Sequence, residues 1–130
     1  MSNNFNIDIV NPEKSFLSKN DVIEVVIPAV EGEIGILKDH ISIISFLKPG
    51  IIKVYSDTEE QNFYVEDGIV EFKDNTLSVL TSSIFDLKDA DKNFVSESIS
   101  SAETELSKED IDDQKRFLLN HKVEILKSIN

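Results

Sequence analysis

IPAVEGEIGILKDHISIISFLKPG, Ile27 to Gly50, is the stretch whose reading decides the fold. It opens where an apolar, β-branched run meets Pro28 and closes at the turn pair Pro49-Gly50. Between them, Glu31, Gly32, Glu33 and Gly35 fall within five residues, followed by Lys38, Asp39 and His40. Glycine permits positive φ or close backbone approach. Pro followed by Gly suits the two central positions of a type II turn. Two carboxylates and an imidazole on short, turn-bounded segments predict a recognition surface here rather than a buried core.

Outward from that stretch the grammar is that of strands. Phe5, Ile7 and Ile9 alternate with Asn6, Asp8 and Val10, the period of a half-buried strand. Phe16-Leu17 is a short apolar segment closed by Lys19-Asn20-Asp21, and Val22 to Ile27 is a β-branched strand. Further strands are predicted at Ile34 to Leu37, Ile41 to Leu47, Ile51 to Tyr55, Phe63 to Val65, Ile69 to Phe72 and Leu77 to Leu80. Turns are predicted at Ser56-Asp57-Thr58, Glu66-Asp67-Gly68 and Lys73-Asp74-Asn75. Short strands at such regular spacing indicate a β-sandwich or barrel.

Near Phe85 the pattern changes. From Asp89 onward there is neither Gly nor Pro. Val95, Ile99, Ala102 and Leu106 lie on one face of a helix, and Ile111, Leu118 and Ile125 recur every seven residues. Leu119, Val123, Leu126 and Ile129 widen that second stripe. Ser107, with Asp110 three residues on, predicts the second helix's N-cap after a break of a residue or two. Glu109, Asp110, Asp112 and Asp113 crowd its start, while Lys122 and Lys127 lie toward its end, as the helix dipole prefers. The chain thus divides into a β-sandwich domain over residues 1–86 and an antiparallel α-helical hairpin over residues 87–130.

Composition excludes several functions. The 130 residues carry a net charge of −12 and a single arginine, Arg116. Nucleic-acid binding needs clustered cations, so no nucleic-acid partner is expected. Attachment to anionic lipid by a basic patch is excluded likewise, whereas basic protein surfaces are attracted. There is no cysteine, hence no disulfide and no thiolate chemistry. The polar opening Met1 to Asn6 is unlike a secretory leader, and no apolar run has membrane-spanning length, so a cytosolic place without lipid insertion is expected. Asp39, His40 and Ser42 are adjacent in sequence, but no nucleophile elbow surrounds Ser42, so they do not predict a hydrolase. Glu59-Glu60 and the acids from Glu109 to Asp113 lack the spacing of a calcium loop and read as solvated faces. No metal site and no catalytic residue is expected.

The order of parts resembles the epsilon subunit of the bacterial F-type ATP synthase over nearly the whole chain. EGEIGIL at Glu31 to Leu37, His40, and LKPG at Leu47 to Gly50 are similar to that family's acidic-glycine loop, histidine turn and strand ending in Lys-Pro-Gly. IDIVNPEKSFLS, FYVEDGIVEF and LSVLTSS at Ile7, Phe63 and Leu77 support it in order. The resemblance implies a flattened sandwich of about ten strands followed by the hairpin. It implies a non-catalytic subunit of the central rotor stalk of a proton- or sodium-driven synthase, on the cytoplasmic face of the inner membrane. The sandwich would bind the gamma subunit and the membrane rotor ring. The hairpin would swing between a docked form and an extended form that reaches the catalytic alpha and beta subunits and blocks ATP hydrolysis.

Carried over by residue, Glu31, Gly32 and Glu33 match the loop facing the ring, and His40 matches the histidine near the gamma and ring contacts. Lys115, Arg116, Lys122 and Lys127 are the cations the second helix offers for inhibition. Lys38-Asp39 stands where the family has Pro-Gly, and Asp67 stands where it has the first Gly of a pair. Some members bind ATP through a motif whose match here is Ala90 to Val95. Asp91 is kept, but Phe94 occupies the arginine position. A phenyl ring makes no charge-assisted hydrogen bond, so no cofactor is expected. The alternative is a free-standing β-sandwich interaction module whose hairpin serves as a dimerisation arm.

Overall fold

The computed structural model describes residues 3–129. Met1 and Ser2, where the leader reading begins, and Asn130, which closes the helical segment, lie outside them. Nine strands are followed by two helices: β1 Phe5–Asn11, β2 Lys14–Ala29, β3 Gly32–Ile36, β4 Ile43–Leu47, β5 Gly50–Ser56, β6 Glu60–Val65, β7 Gly68–Lys73, β8 Thr76–Leu80, β9 Ile84–Asp86, α1 Lys92–Leu106 and α2 Asp113–Ser128. A short 3-10 turn, Leu87–Asp89, joins β9 to α1.

The strands run in the order β1-β8-β7-β4-β2-β5-β6-β9, with β3 on β2 and β1 also pairing β2. β2 is therefore shared by both layers of the sandwich. Its first half pairs β1, and its second half pairs β3 and β5. Phe16-Leu17 and Val22 to Ile27, which the pattern reads as separate segments, belong to this one strand. The polar Lys19-Asn20-Asp21 between them sits at a register shift against β1, where an extra residue bends a strand without ending it. β9 was not legible as a strand, because its Ile84, Phe85 and Asp86 are all half-buried and show no alternation.

Inward-facing residues of both layers meet in one core that includes Phe5, Ile7, Ile9, Val25, Ile27, Ile52, Phe63, Phe72 and Leu77. Phe5 and Phe72 pack edge to face at 5.6 Å. The β7–β8 turn has Asp74 and Asn75 at φ 52° and 56°, the two positive values a type I′ hairpin turn requires.

The Ile27–Gly50 stretch departs from the expected recognition loop in two ways. A third of it is buried, including Ile27, Ala29, Ile36, Ser45 and Leu47, and the fully exposed positions are in the turns and on the outward side of the strands. Gly50 also does not take the left-handed conformation of a type II turn; positive-φ glycines are Gly32 and Gly68. Gly50 opens β5 against Pro28, where an added Cβ would lie 2.5 Å from the Pro28 Cβ. Close packing, not turn geometry, selects glycine there.

The hairpin forms a second cluster. Val95, Ile99 and Ala102 of α1 meet Leu119, Val123 and Leu126 of α2, with Tyr64, Ile51 and Phe85 completing it from the sandwich. Ser107 is not the N-cap of α2. It caps the C-terminus of α1, its N–H bonding Glu103 and Thr104 carbonyls and its Oγ donating to Thr104 O. Asp112 takes the N-cap role, its carboxylate accepting from the Lys115 N–H at 2.7 Å. A carboxylate accepts that bond and favours the positive helix end. The connection is accordingly residues 107–112, longer than a residue or two, and Ile111 reaches the cluster from it.

Candidate functional site

Three features stand out from the fold. The first is the acidic tip. Val30 and Glu31 form the two-residue turn between β2 and β3, where Ala29 pairs with Gly32. Ser45, on the inward side of β4, donates to the Glu31 carboxylate, with Oγ 2.9 and 3.1 Å from its two oxygens. The Val30 N–H donates to Phe46 O at 2.9 Å, which ties the tip to β4. Glu31 is thus a held carboxylate, whereas Glu33 is simply exposed on β3. Replacing Ser45 by Ala is expected to leave the fold intact and cost about 1 kcal/mol, the net value of one partly exposed hydrogen bond. A shift of the denaturation midpoint reads it, and a loss above about 3 kcal/mol would mean that Ser45 supports the sheet itself rather than the tip.

His40 lies elsewhere. Its ring packs edge-on to Phe72 at 6.0 Å, and its Nδ1 is 2.7 Å from Ile41 O. Phe72 pairs with Ile43, the first residue of β4, while Glu31 reaches β4 further along, at Ser45. The structure therefore does not merge Glu31 and His40 into one cluster. The Lys38-Asp39 pair makes its turn with Asp39 at φ 66°, which aspartate tolerates better than most residues. Asn75 fixes it, accepting from the Asp39 N–H at 2.7 Å and donating to its carboxylate at 3.0 Å. With Asp39 bound to Asn75 and His40 directed at Ile41, no triad forms with Ser42.

The second feature escaped the sequence reading. Cross-strand register aligns Phe46 of β4 with Ile69 of β7, Ile69 with Leu80 of β8, and Leu80 with Val10 of β1. All four point outward, with exposures of 60, 43, 52 and 37%. Ile44, 71% exposed, lies one pleat away on the same face of β4. A contiguous apolar row across four strands, edged by Asp8, Glu71 and Asp67, is the kind of patch that marks an interface. The signal is present in ISIISFL, where apolar residues occupy both strand parities, but only register shows that the outward ones line up.

The third feature is the seam between sandwich and hairpin. Lys122 of α2 pairs with Glu66 of the sandwich at 2.8 Å. Lys115 pairs with Glu105 at 3.5 Å and Lys127 with Glu103 at 3.4 Å, both across the hairpin. Arg116 donates to Leu106 O at 3.1 Å. Every cation flagged on α2 is engaged within the chain. Beneath α1's start, Tyr64, Phe85 and Phe94 line a cavity of about 370 Å³ with Glu66, Asp89 and Asp91. Tyr64 is buried and its hydroxyl has no protein partner. Burial, and then the Glu66 carboxylate, hold that phenol well above its usual pKa. The cavity's charged lining among the described residues is Glu66, Asp89 and Asp91.

Residues 4–86 match the family described as ATP synthase, Delta/Epsilon chain, beta-sandwich domain. The ATP synthase epsilon chain of Pelagibacter ubique is 65% identical over 130 residues, covering all of both chains. That of Rhizobium rhizogenes is 34% identical over 107 residues, 82% of this chain and 78% of the relative. Among solved structures, a chain of the Euglena gracilis mitochondrial ATP synthase (OSCP/F1/c-ring) shares the fold with TM-score 0.75 at 18% identity, covering 98% of this chain and 79% of that one. A chain of the Tetrahymena thermophila mitochondrial ATP synthase central stalk and c-ring gives 0.67 at 17% identity, covering 95% and 93%. Sandwich, hairpin and motif order agree with these likenesses, and the chain belongs to the ATP synthase epsilon chain family.

Proposed function

We propose that this chain is a non-catalytic subunit of the rotor stalk of a bacterial ATP synthase, docked on the gamma subunit through the outward row Phe46, Ile69, Leu80 and Val10. That row is the observation that carries the reading: an apolar strip of this continuity on a chain of charge −12 fits a protein partner whose surface is apolar with a basic rim. Glu31, Gly32 and Glu33 face the polar loops of the membrane rotor ring, with Ser45 holding Glu31 in place. His40, apart from that tip, packs on Phe72 and stiffens the β3–β4 turn. The subunit sits at the cytoplasmic face of the inner membrane through its protein partners; no helix among the described residues is long and apolar enough to cross a membrane.

The hairpin is regulatory in this reading. In the docked form Lys115, Arg116, Lys122 and Lys127 are engaged by the chain itself. In an extended form they become free to meet acidic surfaces of the catalytic alpha and beta subunits and hinder hydrolysis. ATP is not the ligand that controls this, because the seam offers carboxylates where a nucleotide needs cations. The free dimerisation arm is disfavoured by the hairpin's apolar stripes, which are buried against each other and against Tyr64.

The test is assembly. Purified chain and a related gamma subunit, followed by size exclusion with light scattering, are expected to give a one-to-one complex at micromolar concentration. Absence of a complex with a matched gamma overturns the reading. In the reconstituted enzyme, a chain ending at Asp86 is expected to raise ATP hydrolysis a few-fold over the full chain, by roughly the factor of a 1 kcal/mol inhibition. Unchanged hydrolysis would remove the inhibitory role and leave the stalk role standing.

A further inference from the structure

Resting on the regulatory reading of the hairpin, we propose that Tyr64 and Asn62 are its release element: docking buries a polar atom of each without a partner, and this holds the docked form close to release. The two residues share a face of β6. Phe63 and Val65 point into the sandwich core, whereas Tyr64 belongs to the hairpin cluster. Strand alternation puts Asn62 on Tyr64's side. Across the ladder Tyr64 pairs with Ile51, which packs on the same cluster, and Asn62 pairs with Lys53. The 3-10 turn Leu87–Asp89 also lies on β6, and Leu87 joins that cluster. The Tyr64 hydroxyl and Asn62 Oδ1 are both buried without a protein hydrogen-bond partner. A third such atom, Gln61 Oε1, belongs to the opposite face of β6, toward the sandwich core.

A buried polar atom without a partner forfeits the hydrogen bond it makes with water. Lifting the hairpin returns water to both atoms, so each favours release. Apolar burial in the hairpin cluster opposes them. So does the Lys122–Glu66 pair at 2.8 Å, which crosses the seam and is partly exposed, hence modest. The Tyr64 ring belongs with the forces that dock the hairpin, since it packs on Phe85 at 5.1 Å. Its hydroxyl does not: a phenylalanine would supply the ring alone. Tyrosine at this position therefore combines a docking surface with a built-in bias against docking. Gln61 is the internal contrast, because its unpaired oxygen lies on the sandwich side and gains nothing when the hairpin leaves.

The chain has no cysteine, so Asp57→Cys and Asn120→Cys, both at exposed positions, place one dye on the sandwich and one on α2. Energy transfer in the full chain then follows release of the hairpin in urea, while the amide signals of β1, β7 and β8 report the sandwich. At the urea concentration where half the parent is docked, Tyr64→Phe is expected to raise the ratio of docked to released chain about tenfold, the effect of one unpaired buried group. Asn62→Leu should raise it in the same direction. Lys122→Gln should lower it about threefold, as for a partly exposed ion pair. Gln61→Leu should leave it unchanged. No rise or a fall with Tyr64→Phe, an equal rise with Gln61→Leu, or release of the hairpin only when the sandwich itself unfolds overturns the proposal. All of these use the chain alone, so they stand apart from inhibition, which hydrolysis with the chain ending at Asp86 decides.

Discussion

Leu126→Ala is expected to unfold or undock the hairpin while the sandwich stays folded. Leu126 is fully buried in the cluster that α1 and α2 build with Tyr64, Ile51 and Phe85. Truncating a buried leucine removes its transfer free energy and leaves a cavity, together about 3 kcal/mol. The sandwich core is a separate cluster with its own sixteen buried residues, and none of the hairpin's belongs to it. Two short amphipathic helices derive most of their stability from packing and little from propensity. Their ion pairs, Lys115–Glu105 and Lys127–Glu103, join half-exposed groups and contribute little. A loss of about 3 kcal/mol therefore exceeds what else holds the hairpin. Hydrogen exchange should show α1 and α2 amides losing protection while β1, β7 and β8 keep theirs, with a fall in helical circular dichroism. Equal loss of protection in both parts would instead mean that hairpin and sandwich unfold as one unit.

The contrast between those two clusters also explains what the sequence could disclose. Strand alternation in Phe5, Ile7, Ile9 and helical spacing in Val95, Ile99, Ala102 are local signals, and both survive intact in the structure. The Asp74-Asn75 turn is likewise local, since both residues tolerate positive φ. What was missed depends on partners far along the chain. β2 reads as two segments because the bulge at Lys19-Asn20-Asp21 is compensated only by pairing with β1. Gly50 looks like a turn residue because Pro28, which forbids a side chain there, is 22 positions away. Ser107 and Asp112 are both good caps by type, and only the path of the connection decides between them. Among the site residues, Glu31 and His40 were legible as positions, but Ser45 and Phe72, which hold them, were not. The cations of α2 were legible as charges, while their engagement with Glu66, Glu103 and Glu105 was not.

Replacing Phe46 and Ile69 together by Glu is expected to abolish gamma binding while leaving the free chain folded. Both side chains are outward and cross-strand neighbours, so neither contributes to the core and two exposed carboxylates are tolerated there. A central aromatic anchor truncated at an interface costs about 2–4 kcal/mol, and a charge forced against an apolar surface adds to it. Even about 3 kcal/mol weakens the complex more than a hundredfold. Calorimetric titration with gamma measures the affinity, and the melting midpoint of the free variant reports its fold. Phe117→Ser is the matched control: Phe117 is as exposed as Phe46, but it stands on α2 and stacks on His121, away from the row. It should bind gamma as the parent does. Loss in both variants would point to exposed aromatics in general, or to the hairpin, as the docking surface. Retention in both would leave the row without a gamma contact and shift attention to the Glu31 tip, where the same titration with Glu31→Gln discriminates, since that change removes the charge and keeps the bond from Ser45.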